Sequence, residues 1–167
     1  FYPVLYLVSR MGEARDWGSG IPLKAGLLGK MSRLEVHHIF PKALLYKAGY
    51  ERSDVNALAN MCFLTADCNI KISDSDPGDY MPVSASEQPG ALESQWITTN
   101  RDLWQIDRFH DFLKDRRERL TKATNALLQS LYEGHVAFES DATLEAAAPT
   151  AVIAEDDVDD ENASILK

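Results

Sequence analysis

The chain has 167 residues, 45% of them hydrophobic and 26% charged, a length and balance that suit one domain with its own core and leave little room for two. No run approaches the roughly 18 to 20 uninterrupted apolar residues of a membrane-spanning helix, because Arg10 and Glu13 break the most apolar stretch, residues 1–8. The net charge of −9 speaks against a nucleic-acid partner only until its placement is read: residues 139–167 hold nine acids and one base, a net of −8, so the other 138 residues carry −1 and have room for a local basic surface.

Residues 1–11 read as the end of an apolar helix. They lack the basic start and small-residue cleavage site of a secretory signal, and they begin Phe1-Tyr2-Pro3 without Met, so the expectation is a fragment of a longer, cytoplasmic protein. Cys62 and Cys68 cannot make a disulfide framework, and their spacing fits none of the common zinc motifs; both are expected to stay reduced. Residues 12–29 form a loop-rich passage broken by Gly18, Gly20, Pro22, Gly26 and Gly29. Residues 34–40 are short, rich in β-forming types and stopped by Pro41, which predicts a strand. A short helix over 42–48, closed by Gly49, follows, then a short turn capped by Ser53 and a second strand over 60–64. Thr65 caps a helix from 66 to about 73, with Asp67 in its favourable first turn. Residues 76–79 predict a turn and 81–90 an irregular segment.

From 101 to 132 the apolar residues recur at helical steps, which predicts one long helix or two, docked onto the rest through Trp96 and Trp104. The other face carries Arg108, Lys114, Arg116, Arg117, Arg119 and Lys122 among five acids and is expected to be solvated. Beyond Glu139 the Ala-rich, acidic sequence has neither aromatics nor periodicity and is expected to be disordered.

Strand, short helix, strand, helix is an order that gathers His37, His38, Asn60 and Asn69 into one small unit, and these types suit metal-assisted phosphodiester cleavage. The scissile phosphate is anionic and poorly electrophilic; its hydrolysis needs a cation near the leaving oxygen and a base for the attacking water. Imidazole, with an ordinary pKa of about 6.5, serves as that base near neutral pH, and a second imidazole with an amide oxygen can hold the cation. Adjacent histidines on an ideal strand point to opposite faces, so a distortion near Ile39, Phe40 and Pro41 is expected if both serve one site.

On these residues the chain resembles a known family. Glu35-Val36-His37-His38-Ile39-Phe40-Pro41-Lys42, then Val55-Asn56-Ala57-Leu58-Ala59-Asn60, then residues 64–77 with Asn69, look like an HNH endonuclease of the ββα-metal class, over about 45 residues. The resemblance implies His37 and Asn69 as metal ligands, His38 as general base, and Asn60 as the member of the catalytic set that ties the loop between the strands. Many relatives have Asp where this chain has His37, which removes an anionic ligand and brings Mn2+, Ni2+ or Zn2+ into consideration beside Mg2+. Lys42 and Lys71 are candidate phosphate contacts, Cys68 is expected to be a packing residue, and His110 and His135 receive no role.

More narrowly, the same segments resemble the C-terminal nuclease half of bacterial GmrSD-type modification-dependent restriction proteins and of related defence proteins that sense phosphorothioated DNA. That likeness implies an α+β fold in four parts: residues 1–33, a helix and loop continuing a missing upstream domain that hydrolyses nucleotides; 34–80, the ββα-metal core; 81–138, an irregular segment and long helix or helices; and 139–167, the acidic tail. It implies a cytoplasmic DNA endonuclease or nickase in anti-phage defence, with DNA as partner and no membrane. The alternative is a degenerate HNH fold that binds DNA or a protein without cutting.

Overall fold

A computed structural model describes residues 2–23 and 33–134. The fold mixes helix and strand, α+β, around one antiparallel pair. In chain order the elements are helix α1 (Tyr2–Met11), strand β1 (Leu34–His38), helices α2 (Lys42–Lys47) and α3 (Arg52–Val55), strand β2 (Met61–Thr65), and helices α4 (Ala66–Ile72), α5 (Pro77–Glu87) and α6 (Phe109–Tyr132). The part of the 12–29 loop beyond residue 23, His135 and the acidic tail lie outside the described residues.

The two strands pair Leu34 with Thr65 through His38 with Met61, so His37 stands opposite Cys62. Every residue of β2 is buried, and its alternating side chains feed two cores. Cys62 and Leu64 enter a cluster with Trp17, Ile39, Phe40, Tyr80, Met81, Trp104, Phe109 and Phe112. Met61 and Phe63 enter another with Leu5 and Val8 of α1 and Leu120 and Leu127 of α6. A strand buried on both faces reads as a continuous apolar run, which is why Met-Cys-Phe-Leu shows no alternation. Of the two anchoring tryptophans, Trp104 sits in the first cluster and Trp96 packs against the second.

Among the described residues, the outer edge of β2 is closed by side chains and not by a third strand. Gln95 accepts from the Phe63 amide at 2.9 Å and donates to its carbonyl at 2.7 Å. Asp16 accepts from the Thr65 amide at 2.8 Å. Unpaired strand edges expose donors and acceptors that burial makes costly, and here those groups are satisfied one by one.

Three sequence expectations are corrected. Residues 76–90 are not a turn followed by irregular chain: Asp76 accepts from the Gly78 amide as N-cap, Pro77 opens the helix, and α5 runs to Glu87. Asp followed by Pro is a helix start as well as a turn signal. The long helix starts only at Phe109, because residues 101–108 form two 3-10 turns separated by extended Gln105. Arg116 does not belong to a solvated face: it is fully buried and donates to Ala59 O at 2.8 Å and Gln95 O at 3.2 Å. Burial pushes its pKa down to about 10, still protonated at neutral pH. A smaller difference falls at α3, where Glu51, not Ser53, occupies the N-cap position and makes no side-chain cap bond. The remaining boundaries agree with expectation within two residues, including the left-handed Gly49 (φ +85°) that ends α2 and the Thr65 hydroxyl that caps α4 by accepting from the Cys68 amide.

Candidate active site

The site is built at the C-terminal end of β1. Glu35 and His37, two residues apart, share the strand face on which α4 packs, and His38 points to the other. β1 stays regular through His38 and bends only at Ile39 and Phe40, so the bend does not bring the two histidines onto one face of the strand. Asn60 holds that bend. Its Oδ1 accepts from the Phe40 amide at 2.9 Å, and its Nδ2 donates to Phe40 O at 3.1 Å and Val55 O at 2.9 Å. The Asn60 carbonyl also accepts from the Ile39 amide at 2.8 Å. With 0% exposure, Asn60 cannot reach a substrate; it positions His38 by fixing the turn two residues beyond it.

Asn69, on α4, meets His37 although 32 residues separate them: Nδ1 and Oδ1 are 2.7 Å apart. The amide of Asn69 is oriented by Glu35, whose Oε2 accepts from Nδ2 at 2.8 Å. A carboxylate can only accept, so the amide NH2 must face Glu35, the amide oxygen must face His37, and the Nδ1 proton of His37 completes the line. Glu35 is held in its charged form: the hydrogen bond from Arg33 Nη2, at 2.6 Å, outweighs the opposing effect of burial, and the Asn69 bond adds to it. Glu35 is the functional candidate that residue type alone did not single out; its signal is the i, i+2 spacing to His37 on a strand.

His37 is nearly enclosed, with its ring perpendicular to those of Trp17 and Tyr80 at centroid distances of 6.1 and 6.4 Å. Burial pushes its pKa down to about 4, against the opposing effect of the Asn69 bond. The imidazole is therefore neutral at pH 7, the form that can give a lone pair to a metal. Imidazole and amide-oxygen ligands at about 2.1 Å in adjacent positions of an octahedral ion stand about 3 Å apart, and the 2.7 Å between Nδ1 and Oδ1 is close to that spacing. As it stands Nδ1 gives its proton to Asn69 Oδ1; to serve as two neighbouring ligands of a first-row divalent ion, with the Glu35 carboxylate as the nearby anionic group, the pair would give up that bond and the ring proton would move to Nε2, which is buried without a partner among the described residues. Among the described residues no three His, Cys, Asp or Glu side chains group to hold a metal; an amide ligand is what this arrangement offers in their place.

His38 is half-buried, and its Nε2 lies 3.3 Å from Asn56 Oδ1, at the C-terminal end of α3. Lys42 opens α2, just past the bend. Lys71 is not brought to the others: it pairs with Asp67 at 2.7 Å, and on α4 both stand about 200° round from Asn69. His110 pairs with Asp54 at 3.0 Å, away from the site. Cys68 is buried and free, as a packing residue. A shallow cavity of about 510 Å³ between Tyr50, Asp76, Gln105 and Asp107 contains none of the candidate residues.

No protein-family model, curated protein or solved structure matches the chain.

Proposed function

We propose that this protein is a metal-dependent endonuclease or nickase that hydrolyses phosphodiester bonds in DNA, with the HNH arrangement that its motif resembles. The observation that carries the proposal is the convergence of His37 Nδ1 and Asn69 Oδ1 to 2.7 Å, with His38 next in the chain on the opposite face of β1 and Asn60 bracing the bend beyond.

His37 and Asn69 would hold a divalent ion, and the charged Glu35 beside them restores an anionic group that a neutral ligand pair lacks. When bound, such an ion neutralises charge developing on the leaving oxygen. The residues of the chain do the rest. His38 takes a proton from water as the water oxygen attacks phosphorus in line with the 3′ oxygen. The new P–O bond forms as the P–O3′ bond breaks, and the 3′ oxygen takes a proton from solvent, giving a 5′ phosphate and a 3′ hydroxyl. Lys42, which opens α2 just past the bend, is the proposed phosphate contact; Lys71, on the far side of α4 from Asn69, is not. The imidazole and amide donors suit Mn2+, Ni2+ or Zn2+ at least as well as Mg2+. On the resemblance of the same segments, the setting proposed is the effector part of a bacterial modification-dependent restriction protein that also carries a nucleotide-hydrolysing regulatory domain.

The test is cleavage of supercoiled plasmid with Mg2+, Mn2+, Ni2+ or EDTA, wild type against His38→Ala. The expected result is metal-dependent nicking or linearisation that falls at least about 100-fold in the variant. Folded wild-type protein that cuts nothing with any of these ions would overturn the proposal in favour of a non-cutting module that binds DNA or a protein.

A further inference from the structure

His38 stands on the face of β1 that looks toward the second core: its cross-strand partner Met61 packs with Leu120 and Leu127 of α6, and residues directly opposite in an antiparallel pair share a face. The long helix therefore runs beside His38, and α3 shows which side of that helix borders it. Asn56, at the C-terminal end of α3, lies 3.3 Å from His38. Asp54, on the same short helix, meets His110 at 3.0 Å and Arg117 at 3.8 Å. His110, Lys114, Arg117 and Thr121 recur at helical steps and so share this side of α6. The opposite side carries Arg119, which donates to Asp115 at 2.6 Å and to Thr98 at 3.4 Å.

Charge is sorted between the two sides. The stripe from His110 to Thr121 contains no acid; Asp111 and Asp115 stand further round, paired with Arg108 and Arg119, and Glu118 lies between the sides. Asp54 faces the stripe from α3, but at 3.8 Å it is beyond hydrogen-bonding reach of Arg117, whose guanidinium keeps its donors for another anion. Lys114 and, on α3, Arg52 are exposed and enter no ion pair among the described residues. Arg52 shares the side of α3 that carries Asn56 to His38, four residues on.

We infer that Lys114 and Arg117 of α6, with Arg52 of α3, form the surface that holds the DNA backbone beside His38. The inference rests on the nuclease reading of that histidine. A phosphodiester is cut only if its neighbours on the strand are held in register with the base, and the 138 residues that precede the acidic tail, with a net charge of −1, cannot draw in a polyanion by their overall field; the cations must act locally. Arg117 offers a fork of N–H donors to a phosphate, and Lys114, one turn away, adds a point charge.

The test is binding of a fluorescein-labelled DNA duplex by the full chain, followed by anisotropy with Mn2+ over a range of salt concentrations. Every variant carries His38→Ala, so that binding is read without cutting. Lys114→Gln and Arg117→Gln together are expected to reduce the slope of log affinity against log salt by about 2, and the affinity by about 10-fold or more near 0.1 M salt; Arg52→Gln should reduce the slope by about 1. Arg119→Gln on the opposite side of α6 and Lys71→Gln on α4 remove the same charge and are expected to leave affinity within about twofold. All five side chains are exposed, so circular dichroism and the unfolding midpoint should stay those of the His38→Ala parent. If the parent binds and the double variant keeps its affinity and slope, or if Arg119→Gln or Lys71→Gln lowers the slope as far, the surface is refuted and the nuclease reading stands. A parent that binds no duplex also refutes the surface, and plasmid cleavage by the chain with His38 intact then decides whether the nuclease reading falls with it.

Discussion

At the scale of single residues, the Asn60 side chain uses its amide in three buried hydrogen bonds to the backbone. Its amide serves one backbone N–H and two carbonyls in a site with no exposure. Asn60→Ala would strand all three, and each orphaned group costs about 1 to 3 kcal/mol. The expected loss is about 3 to 5 kcal/mol, read as a lower urea midpoint with little change in slope, together with loss of plasmid cleavage because the bend beyond His38 is released. A variant unfolding within about 0.5 kcal/mol of wild type would show that the bend holds without Asn60. This residue and the His37–Asn69 pair were legible as a motif, since order, type and spacing are properties of the chain itself. Glu35 and Asn56 were quoted within that motif but carried no role. A glutamate on a half-exposed strand and an asparagine after a short helix are ordinary until α4 and α3 are seen to bring an amide or an imidazole to them.

Elements were legible where local signals agreed and were misread where one signal served two structures. Thr65 before α4 and Gly49 after α2 act within a turn of the chain, so they read correctly. Asp76-Pro77-Gly78-Asp79 fits a turn and a helix start equally well, and only packing of Tyr80 and Met81 into the first core decides for α5. Arg116 was misplaced because charge predicts exposure, whereas its two carbonyl partners come from residues 57 and 21 positions away.

Asp16 belongs to the same class and carries a prediction about pH. Burial alone would raise its pKa, but hydrogen bonds from the Thr65 amide and from the Ser19 hydroxyl and amide outweigh that, and the carboxyl lies below its ordinary 3.8. Between the folded value and 3.8 the unfolded chain binds a proton that the folded one refuses. The stabilisation is therefore fully present above pH 3.8 and is lost as pH falls through the folded value. Asp16→Asn should lower the unfolding midpoint at pH 7 while flattening its decline between about pH 5 and 2. An acid limb as steep in the variant as in wild type would place the proton uptake on another group. The contact matters beyond its own loop, since Asp16 closes the edge of β2 at the residue that caps α4, the helix that carries Asn69.

At the scale of the whole molecule, the two thiols report whether the parts open together. Cys62 on β2 and Cys68 on α4 are at most 2% exposed and share one core with Trp17 from the N-terminal loop, Ile39 and Phe40 from the bend, and Phe109 and Phe112 from α6. Burial raises both thiols, Cys68 to about 12 with help from the charge of Asp16, so almost no thiolate exists in the folded protein at pH 8. Reaction with a disulfide reagent then requires opening of the core, and in a two-state domain both cysteines should react at one rate with the denaturant dependence of global unfolding. The comparison uses Cys62→Ala and Cys68→Ala, each leaving a single thiol, with circular dichroism as the reference for unfolding. A markedly faster reaction at Cys68 than at Cys62 would mean that α4 leaves the core while β2 stays. Asn69 would then part from His37 without global unfolding, and the candidate metal centre would be the least stable part of the fold instead of being as stable as its core.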